Sequence, residues 1–287
     1  MQESFYYFNG RLLPPKDCAL PAGDRSYLLG DGLFETILVL EGRPVFLAEH
    51  LARLTASAAF LGYALPPAEQ LAAAVSLLIN KNSLQEGALR LTVSPAASNG
   101  LLAAQNSVLN ITITCRSGPP YSADLYQRGF RAVIAAATRR NEHSPLARHK
   151  TTNFLDNVLA RREAAAAGAD EALLLNTAGN LCESATANLF LVCGGKVLTP
   201  PVTDGALPGI VRAKILTLCP QLCLRALERS LAPAILQEAD EAFLTNSLLG
   251  VMPLVSVDAS PVGDGTPGPL TRHIETEYRR QLQLSPA

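Results

Sequence analysis

The hydrophobic and polar positions in the first 116 residues predict a mixture of strands and helices. Residues 4–13 alternate around Asn9-Gly10, which is the strongest short signal for a β-hairpin. A β-rich run at 33–40 precedes an amphipathic helix at 47–62, where apolar residues recur at helical spacing. A second helix is expected at 68–79, and further strands at 88–94 and 107–116.

Consecutive prolines at 119–120 mark a predicted boundary, because proline continues neither a helix nor a sheet ladder. We therefore predict domains over 1–118 and 125–287, joined by a linker over 119–124. In the second part, Asn153 and Gly168 are expected to begin and end a helix. Strands are predicted at 130–138, 171–176, 187–192, 196–199 and 241–244, a helix from Pro208, and a short helix near the C-terminus.

Composition indicates a globular protein, with 48% hydrophobic and 17% charged residues. The net charge of -1 and the lack of basic blocks predict neither a nucleic-acid nor a membrane partner. No apolar run is long enough to span a bilayer, and the N-terminus has no signal-peptide pattern. Six scattered cysteines without a CxxC pair are expected to be reduced thiols. Together these features predict a cytoplasmic protein without a metal site.

Lysine is scarce, with five lysines against nineteen arginines. Lys150 stands between a strand-like segment and a predicted helix start. The positive end of the helix dipole and the adjacent Arg148 would depress its pKa and make it a nucleophilic amine. A solvated loop lysine is the commoner outcome for such a local pattern. The other four stand in turns or on a helix: Lys16, Lys81, Lys196 and Lys214.

Three further features have both a functional and a structural interpretation. Glu183 lies among small and apolar residues, where a carboxylate is costly unless it is paired or faces a polar cleft. It could equally be a hairpin-turn residue. Arg53 flanks the apolar stripe of its helix and is by default a solvated arginine. The loop at 204–212 opens a helix whose free N–H groups could bind an anion. No Walker A, GxGxxG or HExxH motif is present.

Several blocks of sequence follow one another in order along nearly the whole chain. They are DRSYLLGDGLFET at 24–36, HLARL at 50–54, KTTNFLDNVLARREA at 150–164, ESATANLF at 183–190, PGIVR at 208–212 and TNSLLGVMP at 245–253. Taken together, they resemble the class IV pyridoxal-phosphate aminotransferases. That group contains branched-chain aminotransferase, D-amino acid aminotransferase and aminodeoxychorismate lyase.

The resemblance implies the two-domain α+β fold called fold type IV. In that fold a small N-terminal α+β domain and a larger C-terminal pseudo-barrel domain hold pyridoxal 5'-phosphate between them. It also implies a homodimer in which the partner's small domain helps to wall the shared active site. Lys150 would be the Schiff-base lysine and proton shuttle, and Glu183 would pair with the pyridine nitrogen. The phosphate would be bound by Arg53, by the amides of Ile210 and Val211, and by Asn246 or its neighbours Thr245 and Ser247.

The substrate pattern resembles the lyases most. D-amino acid aminotransferases carry a tyrosine where this chain has Phe34, and no Arg-x-His motif occurs in the strand at Arg90. The TNSLLGVMP block is similar to that of aminodeoxychorismate lyases. Thr36 and Arg90 are then candidates for binding the substrate's carboxylates, although Asn99 stands where the lyases carry an arginine.

The favoured hypothesis is thus a lyase that converts 4-amino-4-deoxychorismate to 4-aminobenzoate and pyruvate for folate synthesis. The alternative is an aminotransferase of the same fold that acts on D-amino acids, branched-chain amino acids or other small-molecule amines. A third hypothesis is a degenerate member that binds cofactor or a partner without turnover. Retention of Lys150 and Glu183 weighs against the third.

Overall fold

The computed structural model describes residues 4–96, 100–101 and 107–284, with side chains up to 282. The chain forms two compact units. Unit 1 comprises the residues up to Pro120 together with His149–Phe154, and unit 2 comprises Tyr121–Arg148 and the residues from Leu155 onward. The division predicted at 119–124 did not anticipate that 149–154 would pack with unit 1.

Unit 1 is built on one antiparallel sheet with helices on its buried face. Its strands are β1 (Tyr6–Phe8), β2 (Arg11–Leu13), β3 (Leu33–Leu40), β4 (Arg43–Pro44), β5 (Gly87–Pro95) and β6 (Leu109–Ser117). Its α-helices are α1 (Arg25–Leu29), α2 (Leu47–Leu61) and α3 (Ala68–Lys81). The strands pair in the order β2-β1-β6-β5-β3-β4.

The core of unit 1 follows from the alternation of side chains along β3 and β5. Ile37 and Leu89 point to one face, where they pack in a buried cluster with Leu51 and Leu54 of α2. Residues at the intervening positions of both strands point to the opposite face. This second face carries Phe34 and Thr36 of β3 and Arg90 of β5.

Unit 2 is built on a mixed nine-stranded sheet. Its elements, in chain order, are α4 (Ala123–Arg128), β7 (Phe130–Ile134), α5 (Leu155–Ala166), β8 (Glu171–Leu175), β9 (Leu181–Ser184), β10 (Asn188–Cys193), β11 (Lys196–Thr199), α6 (Ile210–Gln221), β12 (Arg225–Glu228), β13 (Glu241–Asn246), β14 (Gly250–Val257), β15 (Ser260–Pro261) and α7 (Pro269–Leu284). The strand order is β12-β11-β10-β13-β14-β7-β8-β9, with β15 paired to β14. The β7–β8, β7–β14 and β11–β12 pairs are parallel.

The mixed α and β architecture expected from the sequence is confirmed, although several elements differ locally from the prediction: β9 and β12 were not predicted, and β7 ends at Ile134 and not at 138. The DRSYLL segment forms α1 because the buried Asp24 carboxylate accepts the N–H groups of Ser26 and Tyr27 at its start. Helix α5 begins at Leu155, two residues later than predicted. Strand β14 was not predicted. Among the described residues, no helix is long and apolar enough to cross a membrane.

Candidate active site

The segment around Lys150 is attached to β3 by main-chain hydrogen bonds. The N–H of Phe34 donates to the Lys150 carbonyl at 2.9 Å, and the N–H of Thr152 donates to the Gly32 carbonyl at 2.8 Å. These bonds fix the Lys150 backbone along β3. Lys150 is therefore a half-buried, anchored residue of unit 1 and not a lysine on a loose solvated loop.

The side-chain amine of Lys150 lies against two aromatic rings. Its Nζ is 4.4 Å from the centroid of the Phe34 ring and 5.8 Å from that of Phe154. The two rings meet edge to face, with centroids 5.5 Å apart. Because the ring faces carry negative partial charge, they attract the ammonium group and restrict where it lies.

The two substrate candidates share a sheet face with Phe34. Thr36 of β3 lies opposite Arg90 of β5 in the strand register. The guanidinium carbon of Arg90 is 3.7 Å from the centroid of the Phe34 ring. Burial lowers the pKa of Arg90, but from so high a value that the side chain stays charged at neutral pH. Asn99, which stands where the lyases carry an arginine, lies outside the described residues.

Arg53 lies on the other face of the sheet, in a buried cluster with Glu35 of β3 and His50 of α2. Its Nε donates to Glu35 Oε1 at 2.8 Å, and its terminal nitrogen donates to Oε2 at 2.6 Å. His50 Nδ1 is 2.7 Å from the same Oε2. Arg53 is therefore held in a fixed orientation by a carboxylate, which the sequence analysis did not predict.

The burial of this cluster determines its protonation. Glu35 and His50 are each 1% exposed. Burial alone would raise the pKa of Glu35, but hydrogen bonds from Arg53 and His50 lower it to about 2. Burial lowers the pKa of His50, although its bond to Glu35 opposes that effect. At neutral pH the cluster thus contains an ionised Glu35 paired with the Arg53 cation.

Glu183 of β9 is a buried carboxylate in unit 2, 4% exposed. Its Oε1 accepts hydrogen bonds from Arg140 Nε at 2.9 Å and from a terminal Arg140 nitrogen at 2.7 Å. Its Oε2 accepts the N–H of Leu207 at 2.9 Å and lies 3.5 Å from the amide nitrogen of Asn188. Both oxygens of this buried carboxylate therefore have hydrogen-bond donors, as buried polar groups require.

The start of α6 offers main-chain N–H groups to an anion. Gly209 is the N-cap, and no side chain caps the first turn, which contains Ile210 and Val211. Amides in this position lie at the positive end of the helix dipole. A Cβ at 209 would lie 1.9 Å from Asn188 Oδ1, so a larger residue there would displace the Asn188 side chain. Asn188 therefore packs the start of α6 closely against the Glu183 carboxylate.

The C-terminal end of β13 presents a second polar group in unit 2. The Asn246 amide is engaged locally: it donates to the Thr186 carbonyl at 3.0 Å and accepts the N–H groups of Leu248 and Leu249 at 2.8 and 2.7 Å. Thr245 is 1% exposed, and its hydroxyl has no hydrogen-bond partner within the part of the chain that the structure describes. An unpaired buried hydroxyl is costly. Thr245 is thus the group here that a bound anion would satisfy.

Comparison with known proteins identifies the family. The model of the class IV amino-transferases matches residues 32–257. A D-alanine aminotransferase of Bacillus licheniformis is 32% identical over 276 residues, which cover 96% of each chain. The solved branched-chain amino acid aminotransferase of Escherichia coli is similar with a TM-score of 0.92 and 27% identity, over 98% of this chain and 95% of that chain. A solved Legionella pneumophila protein, provisionally classed as a 4-amino-4-deoxychorismate lyase, has a TM-score of 0.85 and 31% identity over 93% and 96% of the two chains.

The chain belongs to the class IV aminotransferase family. It is a pyridoxal-phosphate-dependent enzyme, and its α+β architecture is that of the fold type IV structures. The relatives named above differ in the amine they act on, so membership of the family leaves the reaction to be argued from the chain's own residues.

The groups in the two units match the chemistry of pyridoxal 5'-phosphate. An amine such as that of Lys150 reacts with an aldehyde, and a buried anion such as Glu183 suits a protonated pyridine nitrogen. The uncapped α6 amides and the unsatisfied Thr245 hydroxyl suit a phosphate. The residues present therefore fit the cofactor that the family uses.

Arg53→Ala is expected to weaken pyridoxal 5'-phosphate binding by about tenfold to a hundredfold, which corresponds to one lost charge-assisted contact. Turnover at saturating cofactor should change little. The dissociation constant is measured by titrating cofactor-free protein. Glu35→Gln is the control, because it disturbs the same buried cluster but keeps the guanidinium, and it should lower Tm with a smaller loss of affinity. Parent-like affinity in Arg53→Ala would show that Arg53 only neutralises Glu35.

Proposed function

We propose that Lys150 binds the cofactor covalently, that Glu183 supports its ring nitrogen, and that Arg53, Ile210 and Val211 bind its phosphate together with Thr245 or Asn246. When bound, pyridoxal phosphate supplies an electron sink that stabilises negative charge on the substrate carbon next to the amine. The anchored backbone and the aromatic contacts of Lys150 support its role. Its Nζ would remove the proton from the substrate carbon that bears nitrogen.

We further propose that the enzyme is a lyase that converts 4-amino-4-deoxychorismate to 4-aminobenzoate and pyruvate. The contact of Arg90 with the Phe34 ring carries this proposal, because it places a cation and a flat apolar surface next to the Lys150 amine. A ring substrate with carboxylate groups is suited to both. Thr36, opposite Arg90, adds a hydroxyl on the same face.

Three further observations support the lyase. Phe34 lacks the hydroxyl that the resemblance expects of a D-amino acid aminotransferase at this position. The Legionella pneumophila protein, provisionally classed as a lyase, is 31% identical to this chain, and the match covers 93% of this chain. The TNSLLGVMP block, which resembles that of the aminodeoxychorismate lyases, extends across the end of β13 and the beginning of β14.

An aminotransferase is the second candidate, because the D-alanine aminotransferase of Bacillus licheniformis is 32% identical over 96% of the chain. The substrate would then be a D-amino acid, a branched-chain amino acid or another amine. The two reactions share the cofactor residues and differ only in the fate of the substrate.

A paired assay distinguishes these candidates. Purified holoenzyme is given 4-amino-4-deoxychorismate, and 4-aminobenzoate and pyruvate are measured. In parallel, amino transfer to 2-oxoglutarate is measured with D-alanine and L-leucine as donors. We expect both lyase products in equal amounts and slow amino transfer. Efficient transfer with no 4-aminobenzoate would refute the lyase and favour the aminotransferase.

Arg90→Ala is expected to raise KM for aminodeoxychorismate by about tenfold to a hundredfold, because a charge-assisted contact to a substrate carboxylate is lost. The value of kcat should fall much less, since the contact is present both before and during the reaction. Arg116→Ala is the matched control, because Arg116 is an exposed arginine on the neighbouring strand β6. Equal KM values for the two variants would exclude Arg90 from substrate binding.

We also propose that the enzyme is a homodimer. Three consecutive apolar side chains on α1 support this, since Tyr27, Leu28 and Leu29 are 73%, 59% and 48% exposed. A second copy of the chain is the partner proposed for this surface. Light scattering should give twice the chain mass of 30.5 kDa. A monomer mass in the active enzyme would refute the dimer.

A further inference from the structure

Arg140 is the principal charged partner of Glu183. Two of its nitrogens bond Glu183 Oε1 at 2.9 and 2.7 Å, in an ion pair whose side chains are 20% and 6% exposed. The other donors to Glu183 are neutral, from Leu207 and Asn188. Arg140 therefore supplies the only full positive charge in hydrogen-bond contact with this carboxylate within the described residues.

The backbone holds Arg140 in position. Its N–H donates to the Leu175 carbonyl at 2.8 Å, and it forms a parallel bridge with Asn176 at the end of β8. Gly205 packs beside it, where a Cβ would lie 3.5 Å from Arg140 Cβ. Because the main chain is fixed, the guanidinium reaches Glu183 from a preset direction.

The charge of Arg140 has a direct effect on Glu183. A carboxylate buried without a cation tends to take up a proton, since burial disfavours the charged form. The attraction is mutual, and Glu183 raises the pKa of Arg140. Without the guanidinium, Glu183 would keep only the neutral donors of Leu207 and Asn188.

We propose that Arg140 is a positioning residue that acts through Glu183, by holding this carboxylate with two charge-assisted hydrogen bonds in the orientation that pairs it with the pyridine nitrogen of the cofactor. The inference rests on the proposed role of Glu183. It assigns Arg140 a function in ring electronics without contact with substrate. It also predicts that removing Arg140 and neutralising Glu183 have the same consequence.

The test compares Arg140→Met, Glu183→Gln and the double variant. Three quantities are measured: the dissociation constant of pyridoxal 5'-phosphate for cofactor-free protein, the visible absorption spectrum of the holoenzyme, and kcat at saturating cofactor in whichever assay above the enzyme supports. Arg140→Met should match Glu183→Gln in all three, with kcat reduced by about tenfold to a hundredfold. The double variant should have the same kcat as either single variant, because the two substitutions remove the same interaction.

Two further variants separate this role from a structural one. Arg140→Lys keeps the positive charge and should restore most of kcat and the parent spectrum. Arg139→Met is the matched control, because Arg139 bonds only carbonyl oxygens among its described contacts and should leave the dissociation constant and spectrum unchanged. Cofactor-free Tm is recorded for every variant.

The outcomes distinguish this inference from the proposed role of Glu183. If Glu183→Gln changes kcat and the spectrum but Arg140→Met keeps the values of the parent, only the Arg140 inference is overturned. If the kcat losses of the two single variants multiply in the double variant, the inference is overturned as well, since the two residues would then act independently. If Glu183→Gln keeps the kcat and spectrum of the parent, both the role of Glu183 and the Arg140 inference are overturned.

Discussion

Lys150→Ala is expected to give a folded protein that no longer shows the visible absorption of covalently held cofactor. Its turnover should be slower by about a hundredfold to ten-thousandfold. That loss is the size associated with removing a positioned proton-transfer group. The reason is that one amine both holds the cofactor and moves the substrate proton. Absorption spectra and steady-state rates measure the two effects.

Lys214→Ala is the control for this prediction, because it removes a lysine from α6 in unit 2. It should keep the spectrum and turnover of the parent. Circular dichroism of both variants checks that the fold is intact. Retained cofactor absorption in Lys150→Ala would exclude Lys150 as the attachment point.

Glu183→Gln is expected to lower kcat by on the order of a hundredfold, with less than about a tenfold rise in the dissociation constant of the cofactor. The amide has the shape of the carboxylate but lacks the charge that keeps a pyridine nitrogen protonated. Because that charge matters most when negative charge develops on the substrate, the rate should suffer more than binding. Rates are measured at saturating cofactor.

Glu171→Gln controls for the loss of a buried carboxylate in the same sheet. Glu171 is 1% exposed and bonds Thr186 and the N–H of Ala172. Its substitution should lower Tm and leave kcat near the parent value. Equal kcat values for Glu183→Gln and the parent would rule out the electronic role of Glu183.

Local signals were sufficient to predict most elements of unit 1. The Asn9-Gly10 turn joins β1 to β2, and the β-rich run at 33–40 forms β3 within those bounds. Strand β14 could not be predicted in this way. Pro253 lies inside it, paired with Phe243, and proline normally argues against a central strand. Tertiary pairing overrides that preference.

The sequence singles out a candidate where a residue type is rare or a block of sequence is distinctive, as for Lys150 and Glu183. It does not single out their partners. Arg140 precedes Glu183 by 43 residues and is one of nineteen arginines, so no local pattern links the two. Glu35 and Arg53 are 18 residues apart, on a strand and a helix that meet only in the folded unit. Pairing across such distances is a property of the fold.

The most direct test of the account is to locate the cofactor on the chain. Holoenzyme is treated with borohydride, which makes the linkage between cofactor and lysine permanent, and then digested and analysed by mass spectrometry. Five lysines are available as attachment points. We expect the reduced cofactor on Lys150 alone. Attachment at Lys16, Lys81, Lys196 or Lys214, with Lys150 unmodified, would contradict it.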